Sequence, residues 1–248
     1  MMWCGIVTLF PSMFDALNAG ITGRAIKENR LQINTWNPRD YAQDKHKSVD
    51  DRPYGGGPGM VMMAEPLIAA IRAAKSASPV PPTVIYLSPQ GKQFDQAAAA
   101  DMSQHRAFIF VAGRYEGIDE RIIEQEIDIE YSIGDYILSG GELAAMVMID
   151  AVTRHLPGVV GDADSVTQDS LTSGLLKYPQ YTRPERFEGA HVPEVLLSGH
   201  HLDIHRWRLK TSLGKTWQKR PDLLAKKPLT PEEQALLAEF LDEKSGKK

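Results

Sequence analysis

The sequence predicts an α/β fold: a parallel sheet with helices on both faces, then a smaller, mostly α-helical unit. Three observations predict it. Across residues 1–155, apolar runs rich in β-branched residues alternate with segments of helical spacing, the order that lays strands parallel. The runs are almost continuously hydrophobic, as strands buried on both faces must be. Beyond Leu156-Pro157-Gly158 that alternation stops, and after a polar stretch only helical spacing returns. With 248 residues, 42% hydrophobic and 24% charged, the chain can bury one full domain and a companion, at about 150 residues per domain.

Strands are expected at 3–9, 31–36, 83–87, 108–112 and 127–133. Helices are expected at 12–19, 23–28, 66–76, 95–103, 119–125 and 142–155. Pro66 suits a first turn, and Asp119-Glu120 places carboxylates at a positive helix end. Between Asn37 and Met62 the run Asp50-Asp51-Arg52-Pro53-Tyr54-Gly55-Gly56-Gly57-Pro58-Gly59 is too glycine-rich for a regular element. The polar stretch holding Asp162, Asp164, Ser165, Thr167, Gln168, Asp169 and Ser170 reads as an interdomain linker, and 204–213 and 231–243 as helices.

Composition excludes several classes. No run reaches the roughly 18 apolar residues of a membrane span; even 143–152 is broken by Asp150. The first residues lack a basic region and a cleavage pattern, so a cytoplasmic protein is expected. Cys4 is the single cysteine, which leaves no internal disulfide and no cysteine-based zinc site. The net charge of −4 conceals an asymmetry: residues 1–170 hold 14 basic against 22 acidic residues, residues 171–248 hold 14 against 10. Between His200 and Lys227 stand Arg206, Arg208, Lys210, Lys215, Lys219, Arg220, Lys226 and Lys227, interleaved with Trp207 and Trp217. Such a segment suits a polyanion, with indoles to stack on unpaired bases, or a solvated helix whose tryptophans pack inward.

Ligands of open α/β sheets bind beyond the carboxyl ends of the strands. Three loops there are unusual: Ser88-Pro89-Gln90-Gly91-Lys92, Gly113-Arg114-Tyr115-Glu116-Gly117-Ile118-Asp119 and Ile133-Gly134-Asp135-Tyr136-Ile137-Leu138-Ser139-Gly140-Gly141-Glu142. Their glycines let backbone approach a flat ligand such as adenosine, or are plain turn residues. No dinucleotide or triphosphate fingerprint occurs. Glu116, Asp119, Asp135 and Glu142 would repel a phosphate-rich cofactor and tolerate a cationic one, or simply cap helices.

Together with Val7-Thr8-Leu9-Phe10-Pro11, Arg52 to Met60, Tyr86-Leu87-Ser88-Pro89-Gln90-Gly91, Tyr181-Thr182-Arg183-Pro184 and Leu196-Leu197-Ser198-Gly199-His200-His201, these strings closely resemble the bacterial tRNA (guanine-N1)-methyltransferase family. The resemblance implies a SPOUT-type parallel sheet with a deep trefoil knot, plus a small α-helical C-terminal domain. It implies a knotted domain over 1–160, a flexible linker over 161–176 and a helical tRNA-binding domain over 177–248. By resemblance the enzyme is a homodimer with active sites at the subunit interface. It uses S-adenosylmethionine to methylate N1 of the guanosine immediately 3′ of the anticodon, position 37 of tRNA. The donor is then held by Tyr86, Leu87, Ser88, Pro89, Gln90, Gly91, Gly113, Tyr115, Glu116, Gly117, Ile133, Gly134, Asp135, Tyr136, Ile137 and Leu138, with Gly140 and Gly141 closing the knot. Asp169 is implied as general base and Arg154 as its cationic helper. Gln168 stands where relatives are expected to carry an acid.

Guanine N1 carries a proton, so methyl transfer needs a base, and a carboxylate with an ordinary pKa near 3.9 needs close positioning to serve. An arginine can steady charge growing on guanine O6. Asp169 as an N-cap and Arg154 as a helix-dipole partner are the plain alternatives. Glu116 and Asp169 together suit a magnesium ion, which the family is thought to use and which commonly needs only one or two carboxylates. No metal ligand set is expected, and His201 and His205 lack a third zinc ligand.

Overall fold

The computed structural model describes residues 1–161 and 169–246. The chain divides into two compact units, Met1–Ala163 and Asp164–Lys248.

The first unit is built on five parallel strands, β1 (Met2–Val7), β2 (Leu31–Trp36), β5 (Thr83–Gln93), β6 (Ala107–Val111) and β7 (Ile129–Ser132), in the order β2-β1-β6-β5-β7. Alternation along each strand divides the core into two layers. Cys4, Ile6, Ile85, Leu87, Phe108 and Phe110 face one way, against α3 (Gln96–Met102) and α5 (Glu142–Thr153). Trp3, Val7, Val84, Tyr86, Ile109 and Val111 face the other, against α2 (Ala64–Ala77) and α4 (Glu120–Glu126). Ile6, Ile109 and Phe110 are fully buried, each worth about 1.5–3 kcal/mol. The edge strand β2 departs from the expected continuous burial, because Gln32 and Asn34 face solvent and bond each other.

Other boundaries move for local reasons. The first strand ends at Val7, where the Thr8 hydroxyl accepts from the Phe10 N–H and donates to Glu142. The segment expected as a helix at 12–19 is a 3-10 helix, Pro11–Asn18, and α1 runs Gly20–Lys27. Asp95 and Asp119 are N-caps rather than first helical residues. The stretch expected to lack regular structure contains a 3-10 turn at Pro38–Tyr41 and a minimal antiparallel pair, β3 (Asp50–Asp51) with β4 (Val61–Met62). Gly55, Gly56, Gly57 and Gly59 all take positive φ in the loop joining them. The largest correction concerns β5, which continues to Gln93. Leu87 and Lys92 both pair with Tyr131, so Ser88–Gly91 is an excursion inside the strand rather than a loop after it.

The second unit gathers α6 (His201–Lys219), α7 (Pro221–Lys226) and α8 (Pro231–Ser245) around Leu175, Leu213 and Leu236. The helix expected at 204–213 extends through Gly214, where only a glycine fits, since a Cβ there would meet the Phe240 ring of α8 at 2.4 Å. Thr230 and Glu233 form a reciprocal capping box. A short hairpin, β8 (Arg186–Phe187) with β9 (Ala190–His191), precedes these helices. Leu175, within the stretch expected as linker, is buried in this unit's core.

Candidate active site

Because β5 lies between β6 and β7, the chain leaves three neighbouring strand ends side by side. Between the three departing segments lies a cavity of about 370 Å³, at the small end of the range of ligand pockets. Every donor residue named in the sequence lines it except Gly91 and Asp135. Asp135 is exposed. Gly91 serves the backbone instead: a Cβ there would sit 2.5 Å from the Glu130 carbonyl carbon and the Tyr131 nitrogen, so only glycine lets the excursion close onto β7. Arg114, Tyr131, Ser132 and Ala144 also line the cavity and were not named as donor residues. Arg114 stood in a quoted string; Ala144 lies one turn into α5, where no motif pointed.

Backbone contacts lock the walls. Tyr115 and Gly117 take φ of 60° and 132°, reversing the chain after β6. The Glu116 N–H donates to Met60 O and the Met62 N–H to Gly117 O, each at 2.9 Å, so this loop is tied to β4 and the glycine-rich loop. A Cβ on Gly59 would meet Glu116 Oε1 at 2.4 Å. The Gly141 N–H donates to Gly113 O at 2.9 Å, and a Cβ on Gly141 would lie 2.8 Å from Ala112 Cα and 3.2 Å from Leu87 Cβ. The third wall therefore rests directly on the other two.

Tyr86 closes one side of the cavity. Burial, reinforced by the nearby Glu130 charge, pushes its hydroxyl up to about 12, so it stays a neutral donor at working pH. The Tyr115 hydroxyl is also raised, by desolvation first and then by Asp50, with Arg39 opposing.

The charge balance differs from the sequence expectation. Glu142 is fully buried, accepts from Thr8 Oγ1 at 2.9 Å, and has Arg114 Nε 2.9 Å from its Oε2. That contact is ionic only; the Nε–H is misdirected, leaving both buried atoms without a hydrogen bond. Arg114 also donates to Ser139 O at 3.0 Å and lies 4.4 Å over the Phe10 ring. The Arg121 guanidinium bonds Asp119 at 2.8 and 2.7 Å and holds its carboxyl below the ordinary range. Of the four carboxylates expected to repel phosphate, two thus carry guanidinium partners, and Asp135 does not line the cavity. Glu116 and Arg114 are the charged groups that do.

Arg154 stands at the C-terminal end of α5, in the first unit. Asp169 belongs to the second, with Lys177 Nζ 3.3 Å from its Oδ1, and it lines a pocket of about 290 Å³ with Tyr178, His205 and Arg208. Gln168 lies outside the described residues. Among the described residues, no three His, Cys, Asp or Glu side chains gather as a metal site, and no helix is long and apolar enough to cross a membrane.

The chain matches the family model "tRNA (Guanine-1)-methyltransferase TrmD" over residues 2–226. A tRNA (guanine-N(1)-)-methyltransferase of Tolumonas auensis is 59% identical over 243 residues, 98% of each chain. One from Coxiella burnetii (strain RSA 493 / Nine Mile phase I) is 60% identical over 241 residues, 97% of this chain and 98% of its own. Another, from Vibrio vulnificus, is 55% identical over 248 residues, the whole of both.

Proposed function

The chain belongs to the tRNA (guanine-1)-methyltransferase family, and from that premise we propose that it transfers the methyl group of S-adenosylmethionine to N1 of the guanosine immediately 3′ of the anticodon, tRNA position 37. The observation that carries the reading is the cavity where three strand-end segments converge. Its size and glycine-lined walls fit a flat adenosine, and with the Arg114 charge offset by Glu142, Glu116 suits a cationic sulfur better than a pyrophosphate. S-adenosylmethionine supplies a methyl group on a positive sulfur, already activated toward a nucleophile.

The chain's own residues do the rest. Asp169 accepts the N1 proton as the N1–methyl bond forms, and Arg154 donates to guanine O6 as negative charge grows there. These two side chains fall in separate compact units. In this reading they meet in a homodimer whose active sites lie at the subunit interface. The cavity walls form a deep trefoil knot, a reading supported by the approach of Gly141 to Ala112, Gly113 and Leu87. Residues 1–160 form the donor domain and 177–248 a helical tRNA-binding domain, joined by 161–176, of which 162–168 lie outside the described residues and Leu175 packs into the helical core. The working compartment is the cytoplasm, where tRNA is modified and a single buried cysteine stays reduced.

The test is to incubate the protein with methyl-labelled S-adenosylmethionine and an unmodified tRNA carrying guanosine at position 37, then to digest and identify the labelled nucleoside. Label in 1-methylguanosine at that position is expected. RNA retained without label, or label on another base, defeats the reading.

A further inference from the structure

The basic segment of the second unit does not present all its charge. On α6, Arg206 pairs with Glu239, and Lys210 with Glu239 and Glu243, both carboxylates on α8. Arg220 pairs with Asp222 and Lys227 with Glu233. Arg208, like Lys215, Lys219 and Lys226, has no carboxylate within ion-pair distance among the described residues, and its guanidinium sits 4.8 Å over the Tyr178 ring. Arg183 is likewise without an ion-pair partner among the described residues and is exposed. A polyanion gains most from cations not already neutralised, and Arg183 and Arg208 are two such cations that line one cavity.

That cavity has a volume of about 600 Å³. Tyr178, Tyr181 and Trp207 line it with both arginines, over an apolar floor that includes Leu196 and Ile204. Tyr181 and Trp207 have centroids 6.4 Å apart at 53°, a splayed pair, and Tyr181 is about half exposed at 49%. Among the described residues Glu185 is the lining's one carboxylate, and it can accept from a base amino group. Open aromatic faces beside unpaired guanidiniums are the chemistry that holds an unstacked base and its phosphate.

We infer that this cavity of the C-terminal unit is a stacking site for one unpaired base of the RNA, with Tyr181 and Trp207 as the platform and Arg183 and Arg208 taking the flanking phosphates. The inference rests on the reading that RNA is the substrate.

Binding of the full chain to unmodified tRNA is measured by anisotropy over a series of salt concentrations, alongside methylation kinetics. Stacking contributes roughly tenfold or more per base, so Tyr181→Ala should weaken tRNA binding by about that factor and raise KM for tRNA, with kcat and salt slope unchanged. Tyr181→Phe, which keeps the ring, should bind like the parent. Arg183→Ala should lower the salt slope by about one, and Arg206→Ala by clearly less. A short single-stranded oligoribonucleotide should quench the tryptophan fluorescence of the parent and quench Trp207→Phe less. The inference is overturned if Tyr181→Ala binds tRNA like the parent. It is overturned equally if that variant changes only the oligomeric state, which would mean that a second copy covers the cavity. A parent that methylates normally while Tyr181→Ala is silent sinks the stacking site alone. A parent quenched by RNA that forms no 1-methylguanosine supports the stacking site and sinks the proposed function.

Discussion

Lys177 Nζ lies 3.3 Å from Asp169 Oδ1, and the two side chains are similarly covered, at 27% and 28% exposure. The turn between them is closed by Leu171 N–H to Leu175 O at 2.8 Å and by Lys177 N–H to Ser170 Oγ at 2.9 Å. With Leu175 buried in the helical core, the carboxylate is held to the second unit and kept beside a cation.

An opposite charge favours the ionised carboxylate, the form that accepts a proton. In the proposed mechanism Asp169→Asn should leave donor affinity within about twofold and cut single-turnover methylation by about 10²-fold or more. Lys177→Gln should slow single-turnover methylation by a smaller factor, because the carboxylate loses the cation that stands 3.3 Å from it. His205 and Arg208, which line the same pocket, remain in both variants. Rapid-quench methylation measures both. A Lys177→Gln time course superimposable on the parent's removes the lysine from the mechanism.

Gly141→Ala should damage donor binding and stability together. Its Cβ would lie 2.8 Å from Ala112 Cα, an atom that moves only with the backbone of the next wall. The expected cost is about 1–3 kcal/mol. At Gly56 a Cβ meets nothing within 4 Å, so Gly56→Ala carries only the strain of φ +78°, about 1 kcal/mol, and leaves donor affinity alone. Calorimetric titration with S-adenosylmethionine and urea unfolding separate the two; equal effects on donor affinity would contradict the wall contact.

Glu126 gives the first unit a specific acid sensitivity. Burial alone would raise its carboxyl, but Lys75 and Arg72, each 2.7 Å away, outweigh that and hold it below the usual 4.5. A carboxyl lowered in the folded state contributes stability above its unfolded value and loses it as pH falls through the folded one. Glu126→Gln should therefore cost about 1 kcal/mol at pH 7, discounted because Arg72 is 62% exposed, and nearly nothing at pH 2. Unfolding free energies at the two pH values check it; a constant difference would refute the assignment.

Cys4 should resist chemistry while the protein is folded. It is buried in β1, and desolvation pushes its thiol up to about 12, leaving on the order of one thiolate in ten thousand at pH 8. Iodoacetamide should label it in 6 M urea and scarcely at all without denaturant. Rapid native labelling would show that the β1 core opens.

Much of the site was legible because its residues are contiguous. The strand-end loops at 88–92, 113–119 and 133–142, picked out by their glycines, hold most of the cavity lining, and the resemblance to the family named the donor residues within and beside them. A local reading takes Ser88 to Lys92 as a loop after the strand, since the excursion inside β5 depends on pairing with Tyr131, forty residues from Gly91 in the chain. It misses Ala144, which lines the cavity only because α5 packs there. Of the two readings it leaves for the acids, Asp119 takes the capping one, as the N-cap of α4, while Glu142 is buried against Arg114, a partner that only folding supplies. The basic run between His200 and Lys227 fails in the same way: α8 brings Glu239 and Glu243 to Arg206 and Lys210, and no reading of α6 alone reveals it.

Local physics in the sequence therefore determined the parallel α/β class, the helical tail and the three strand-end segments, since periodicity and glycine placement act over a few residues. The order β2-β1-β6-β5-β7, the convergence of those segments on one cavity, and the choice of which charges stay unpaired were decided by tertiary structure. These depend on which distant backbones and side chains come within a few ångströms, and a linear pattern does not contain that distance.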